Sequence, residues 1–179
     1  AHLQENSTDL ALVSILPDDL DLESISIAEN NWYLTCAYDK VQAYREAIEK
    51  GNWSEVPMIL REKGSGTRTA MEKFFADKEI SIESKMELAT NEAVKQAVMA
   101  GLGASVLSNF SMTQELKEKR LAIIKYPGLP IQADWRLIWL KQKKHPPAVK
   151  AFIRWLGENK TEIFKDHFPA LESLGIQHF

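Results

Sequence analysis

A single cysteine, Cys36, stands in the whole chain, so no internal disulfide can hold the fold together. The four histidines, His2, His145, His167 and His178, never come within metal-ligand spacing of Cys36 or of one another, and no zinc site is legible. There is no apolar run of about 18 residues, and no charged, apolar and small-residue stretch opens the sequence, so neither a membrane span nor a secretory signal is found. A reduced, cytoplasmic compartment is the expectation. An excess of positive charge is missing too: 22 Lys and Arg stand against 25 Asp and Glu, a formal net charge of −3, so this piece alone is not expected to grip nucleic acid. What is present is a globular composition, with 45% hydrophobic and 26% charged residues over a length of 179, enough for one domain or two small lobes with a packed core. The chain opens on Ala-His-Leu-Gln-Glu-Asn without an initiator methionine and reaches a predicted strand by Asp9, which predicts a fragment.

Hydrophobic period divides the sequence into alternating strands and helices. Asp9 to Ile15 is a short continuous apolar run, predicted as a strand buried on both faces. An acidic turn from Leu16 to Glu23 follows, then strands at Ser24–Ile27 and Trp32–Tyr38, and a helix from Lys40 to Lys50 with Val41, Tyr44 and Ile48 on one face. Val56–Leu60 reads as a strand, and a glycine-rich turn leads from it into a helix carrying Ala70, Met71, Phe74 and Phe75. Alternation from Ile80 to Leu88 predicts a half-exposed strand. A helix from Glu92 to Ala100 is capped by Thr90 and Asn91 and stopped by Gly101-Leu102-Gly103. Strands at Ala104–Leu107, Leu121–Lys125 and Trp135–Leu140 and a helix from Ala148 to Lys160 complete the set. The alternation predicts an α/β fold with mainly parallel sheets.

Gly64-Ser65-Gly66-Thr67-Arg68 is the most chemically suggestive segment. Glycines let the backbone turn with open N–H groups, the hydroxyls add donors, and the following helix points its unsatisfied N–H groups and positive dipole end at the same place. Such a turn can hold a carboxylate, sulfate or phosphate, and it is equally what a plain strand-to-helix cap requires. No Gly-Lys-Ser/Thr and no Gly-x-Gly-x-x-Gly follows, so no nucleotide cofactor is expected. Thr90-Asn91-Glu92 repeats the arrangement at the next helix start, and Ser14 ends the first strand, where ligands of open α/β sheets collect. The acidic residues Asp18, Asp19, Asp21 and Glu23 read as a solvated turn, Lys141, Lys143, Lys144 and His145 as a solvated basic loop, and Cys36 as buried packing. No catalytic set and no metal site is found.

In order and spacing, Asp9-Leu-Ala-Leu-Val13, Pro57-Met-Ile-Leu-Arg-Glu-Lys-Gly-Ser-Gly-Thr-Arg68 and Ala89-Thr-Asn-Glu-Ala-Val-Lys-Gln-Ala-Val-Met-Ala-Gly-Leu-Gly-Ala-Ser-Val-Leu107 resemble the effector-binding region of LysR-type transcriptional regulators, a likeness that runs from Asp9 to His167. The resemblance implies a two-lobed fold similar to type 2 periplasmic binding proteins, with a small-molecule effector between the lobes. Lobe I would take residues 1–27 and 128–179 and lobe II residues 28–127, with two crossings between them. The family's regulatory region begins with a strand, a helix and a second strand that do not precede Asp9 here. The chain is therefore expected to be part of a regulator, to lack one wall of its cleft, and to meet DNA only through a helix-turn-helix domain absent from it.

Carried over residue by residue, Ser14 matches the first lobe's contact with the effector, Ser65, Gly66 and Thr67 match the second lobe's, and Thr90 and Asn91 match the next helix start. A small anionic metabolite is the expected ligand, with no catalysis, no metal and no cofactor. The resemblance also implies a homodimer or higher homo-oligomer, in which Val94, Ala97 and Val98 would be shared between the core and a partner. A solute-binding protein of a transport system is the alternative, and an enzyme on the same lobes a third.

Overall fold

The computed structural model describes residues 3, 5 and 7–167. His2, His178 and the part of the expected first lobe beyond residue 167 lie outside them. In chain order the elements are β1 (Ala11–Val13), β2 (Leu22–Glu29), β3 (Trp32–Ala37), α1 (Val41–Glu49), β4 (Met58–Arg61), α2 (Gly66–Asp77), β5 (Ser84–Leu88), α3 (Asn91–Met99), β6 (Ser105–Ser108), α4 (Asn109–Lys117), β7 (Leu121–Ile123), β8 (Asp134–Leu140) and α5 (Pro147–His167). Two compact units divide them: among the described residues, the first holds those up to Asn30 and from Ala133 onward, and the second holds Asn31–Gln132. These divisions fall a few residues beyond 27 and 127, because β2 continues to Glu29, where it pairs with Asp134 at the start of β8.

The first unit is an antiparallel sheet in the order β1-β8-β2. Across it lies α5, which sets Ile153, Leu156, Ile163 and Phe164 against Leu10, Ile25, Ile27, Leu137 and Trp139. Lys160 on α5 donates to the Ser26 carbonyl oxygen at 2.7 Å, beside a bulge between Ser26 and Ala28 that breaks the β2–β8 register. The expected doubly buried first strand is instead a three-residue strand with Leu12 53% exposed, and among the described residues β1 pairs on one side only. The basic loop is not wholly solvated either. Lys143 pairs with Asp9 at 2.9 Å and donates to the Thr8 carbonyl oxygen at 3.2 Å, tying the start of the unit to the loop after β8.

The second unit is built around β3, all six of whose residues are buried between antiparallel neighbours β6 and β7. The expectation of mainly parallel sheets is therefore corrected: among the named pairings only β4 with β5 is parallel. A continuous apolar run reports burial on both faces, which a central antiparallel strand covered by helices satisfies as well as a parallel one does. β4 meets the residue before β6, with Ile59 N–H donating to the Ala104 carbonyl oxygen and Ala104 N–H to the Pro57 carbonyl oxygen, both at 2.8 Å. Gly103 permits this approach, since a Cβ there would lie 2.3 Å from the Pro57 oxygen.

Helix α3 packs Val94, Ala97 and Val98 with Tyr33, Ile59 and Leu107 in the unit's core. These side chains are 1%, 9% and 0% exposed, so the expected sharing of this stripe with a partner is corrected: it is spent inside the unit. Helix α4 was not expected from the sequence. Its nine residues bury only Met112 and Leu116, four positions apart, and Ser108, whose hydroxyl accepts from Phe110 N–H, was the one signal for its start. Lys95 on α3 reaches Glu115 on α4 at 2.6 Å and Glu92 at 3.0 Å. Burial works against its charge, but the two carboxylates outweigh this and raise its pKa.

Two outcomes follow. Gly103→Ala is expected to cost about 2 kcal/mol, because the obstructing atoms are backbone, whereas Gly64→Ala, with a φ of +91° and nothing within 4 Å, should cost about 1 kcal/mol from backbone strain alone. Urea unfolding midpoints at unchanged slope measure both, and equal costs would contradict the packing described. Burial, reinforced by the charge of Asp39, pushes the Cys36 thiol up to about 12. It should therefore resist a thiol reagent at about pH 8 until the protein is unfolded, and fast labelling of the native chain would refute this.

Candidate functional site

The parallel strands β4 and β5 end side by side, Arg61 in register with Leu88, and each runs through a short turn into a helix. The turn after β4 contains Gly64, whose φ of +91° is open to glycine and strained for other residues, and α2 begins at Gly66. The turn after β5 contains Ala89 and Thr90, and α3 begins at Asn91. Both helices therefore direct their first N–H groups to the same edge of the strand pair.

The side-chain caps leave these ends open. Ser65 Oγ accepts from Arg68 N–H at 3.2 Å and Thr90 Oγ1 from Ala93 N–H at 3.1 Å, each the third residue onward. The backbone N–H groups of Gly66 and Thr67 on α2, and of Asn91 and Glu92 on α3, precede the first that a helix can satisfy internally. In the first unit, Ser14 Oγ accepts from Asn30 Nδ2 at 2.8 Å. Ser14, Ser65 and Thr90 are thus all hydrogen-bond acceptors toward the protein, which leaves each hydroxyl proton to donate elsewhere. Thr67 is half-buried and Gly66 exposed. Five of the six residues singled out in the sequence, Ser65, Gly66, Thr67, Thr90 and Asn91, lie together at this edge of the second unit, and Ser14 lies in the first.

Two arginines to which the sequence assigned no role of their own organise the edge. Arg61, the last residue of β4, binds both carboxylate oxygens of Glu62, through Nε at 2.7 Å and Nη2 at 2.8 Å. Its Nη1 donates to Asn91 Oδ1, and Nη2 also reaches the Ala89 carbonyl oxygen at 3.3 Å. The hydrogen bond from Arg61 holds the Glu62 carboxyl below its ordinary range. Arg68, in the first turn of α2, is only 8% exposed. It donates from Nε to Glu72 at 2.7 Å, and from Nη1 to the Arg61 carbonyl oxygen at 2.9 Å and to Glu87 on β5. Glu72, then Glu87, raise its pKa further. The sequence signals for them were a charged residue ending the apolar run of β4 at Arg61, with Glu62 next to it, and the four-residue spacing of Arg68 and Glu72; their other partners lie up to 30 positions away.

The remaining motifs keep plain roles. Gly101-Leu102-Gly103 follows α3 and precedes β6, the reverse of a nucleotide loop. Asp18, Asp19, Asp21 and Glu23 are exposed, with Glu23 accepting from Trp139 Nε1 at 2.9 Å. Among the described residues no group of three His, Cys, Asp or Glu could hold a metal ion, and no helix is long and apolar enough to cross a membrane.

Similarity to known proteins was found at every level. The chain is 36% identical over 164 residues to a RuBisCO operon transcriptional regulator of Acidithiobacillus ferrooxidans, covering 88% of this chain and 53% of the relative. It is 33% identical over 155 residues to the HTH-type transcriptional activator CmpR of Synechocystis, covering 87% and 51%. It therefore spans about half the length of these relatives. Among solved structures, the Synechocystis CcmR regulatory domain in complex with 2-PG matches with a TM-score of 0.78 and 29% identity, over 89% of this chain and 76% of that one. The effector binding domain of QuiR in complex with shikimate shares the fold, with a TM-score of 0.73 and 18% identity over 90% and 76%. The LysR substrate binding domain family matches residues 1–161, and with helices starting from the ends of parallel strands as described, the chain belongs to that family.

Proposed function

We propose that this chain is the effector-sensing part of a cytoplasmic LysR-type DNA-binding transcriptional regulator, and that its effector is a small anionic metabolite. The observation that carries this reading is the polarity of the site: at one edge of the second unit, backbone N–H groups, hydroxyls whose oxygens accept from the protein and two helix N-termini converge, and Arg61 and Glu62 neutralise one another beside them. A group rich in acceptors and negative charge is what such donors suit. The relatives named as transcriptional regulators and the 2-PG complex of a domain 29% identical support it, and they leave the reading as a transport protein without support. In this proposal the full protein reads DNA through a helix-turn-helix domain, works as a homodimer or higher oligomer, and performs no chemistry on the ligand. The effector's differential affinity for two arrangements of the protein would supply the switch.

Calorimetric titration with 2-PG, inorganic phosphate and sulfate tests the reading. At least one of these anions is expected to bind, and an uncharged diol of similar size is not. Thr67→Ala should weaken binding roughly tenfold, the worth of one hydrogen bond to a charged group. Ser65→Ala should in addition cost about 1 kcal/mol of stability, since it removes the cap of α2. Anion binding by the folded wild-type chain that is untouched by both substitutions would place the ligand elsewhere; no anion binding at all would overturn the proposal.

A further inference from the structure

We infer that Arg61 is a positioning residue of this site: by holding the carbonyl end of the Asn91 side chain, it turns an ambivalent amide into a fixed donor and sets the site's preference for a ligand that only accepts hydrogen bonds. This rests on the reading of Gly66, Thr67 and Asn91 as an anion site.

The chemistry of the pair decides the orientation. A guanidinium has five N–H donors and no acceptor, so the atom of Asn91 that meets Arg61 Nη1 is its carbonyl oxygen. The amide NH2 is thereby turned away from Arg61, and among the described residues it has no protein partner. Released from Arg61, the side chain could present either end, and its oxygen would repel an anion. Arg61 itself is poorly suited to direct contact. Its charge is met by a two-pronged bond to Glu62, its side chain is 17% exposed, and its fork is further fixed by the Ala89 carbonyl oxygen. Glu62 aims Arg61, and Arg61 aims Asn91. The clamp also joins the turn after β4 to the start of α3, so the two loops that supply the donors are held as one piece.

A double-mutant cycle on the whole chain, with 2-PG and inorganic phosphate as probes, tests this. Arg61→Met and Asn91→Ala should each weaken binding roughly tenfold, and the double variant no more than Asn91→Ala alone, because Arg61 acts only through Asn91. Arg61→Lys, which keeps a donor for the Asn91 oxygen, should stay within roughly threefold of wild type. In the ligand-free protein, the Asn91 side-chain amide signals in NMR should move in Arg61→Met and stay near their wild-type positions in Arg61→Lys. If Arg61→Met does not fold, Glu62→Gln replaces it in the cycle, with a smaller loss that likewise vanishes when Asn91 is Ala. Losses that multiply in the double variant, or an Arg61→Met protein that binds as wild type does, refute the role of Arg61 while leaving the anion site standing. A folded wild-type chain that binds neither probe, nor sulfate, refutes the site and this role together.

Discussion

The parallel pairing of β4 with β5 is the constraint on which the candidate site depends. Strands that run the same way deliver the chain to the same edge of the sheet, so the helices that follow them begin side by side. A hairpin would have sent the second helix start to the opposite edge. Parallel pairing requires a crossover, and α2 with its flanking turns supplies it. Arg68 then fastens that crossover, because one buried guanidinium engages its own helix through Glu72, β4 through the Arg61 carbonyl oxygen, and β5 through Glu87. A buried charge left unpaired would be costly, and here two carboxylates and a carbonyl oxygen offset the loss of water. The position of Gly66 and Thr67 over the sheet is thus held by contacts from three elements.

The plain and the functional readings of the serines and threonines turn out to be compatible. A hydroxyl carries one proton and two lone pairs, and capping a helix uses a lone pair. Ser65 and Thr90 cap α2 and α3 with their oxygens, and Ser14 accepts from Asn30, and among the described residues none of the three donates its proton to the protein. Other hydroxyls here give their protons to the protein: Ser105 donates to the Ile59 carbonyl oxygen at 2.6 Å, and Thr69 to that of Ser65 at 3.1 Å. For an acceptor-rich ligand the difference matters, since only the first kind has something to offer it.

Elsewhere tertiary contacts decide what the sequence left open. Lys143 and Lys95 both lie in charged surroundings, and both are tied by carboxylates, Lys143 across the first unit to Asp9 and Lys95 between α3 and α4 to Glu115. Val94, Ala97 and Val98 form a stripe that could have faced a partner, but the core under α3 is closed by β3, β4 and β6 and takes all three. Any partner meeting α3 would find the exposed Glu92 and Gln96.

The positions of most strands and helices, the glycine-rich turn and the caps at Ser65 and Thr90 were all legible in the sequence, because each depends on neighbours within a few residues. A cap joins residues three apart, and a helical stripe repeats every three or four. Strand direction was not legible, since an apolar run on β3 reads the same whichever way its neighbours point. Nor was α4, whose two buried residues make too sparse a pattern. The near partners of the two arginines, Glu62 next to Arg61 and Glu72 one turn after Arg68, are sequence neighbours, but their distant ones were decided by tertiary structure alone: Arg68 finds Glu87 across 19 positions and Arg61 finds Asn91 across 30, and only the packing of β4 beside β5 brings such side chains within a hydrogen bond.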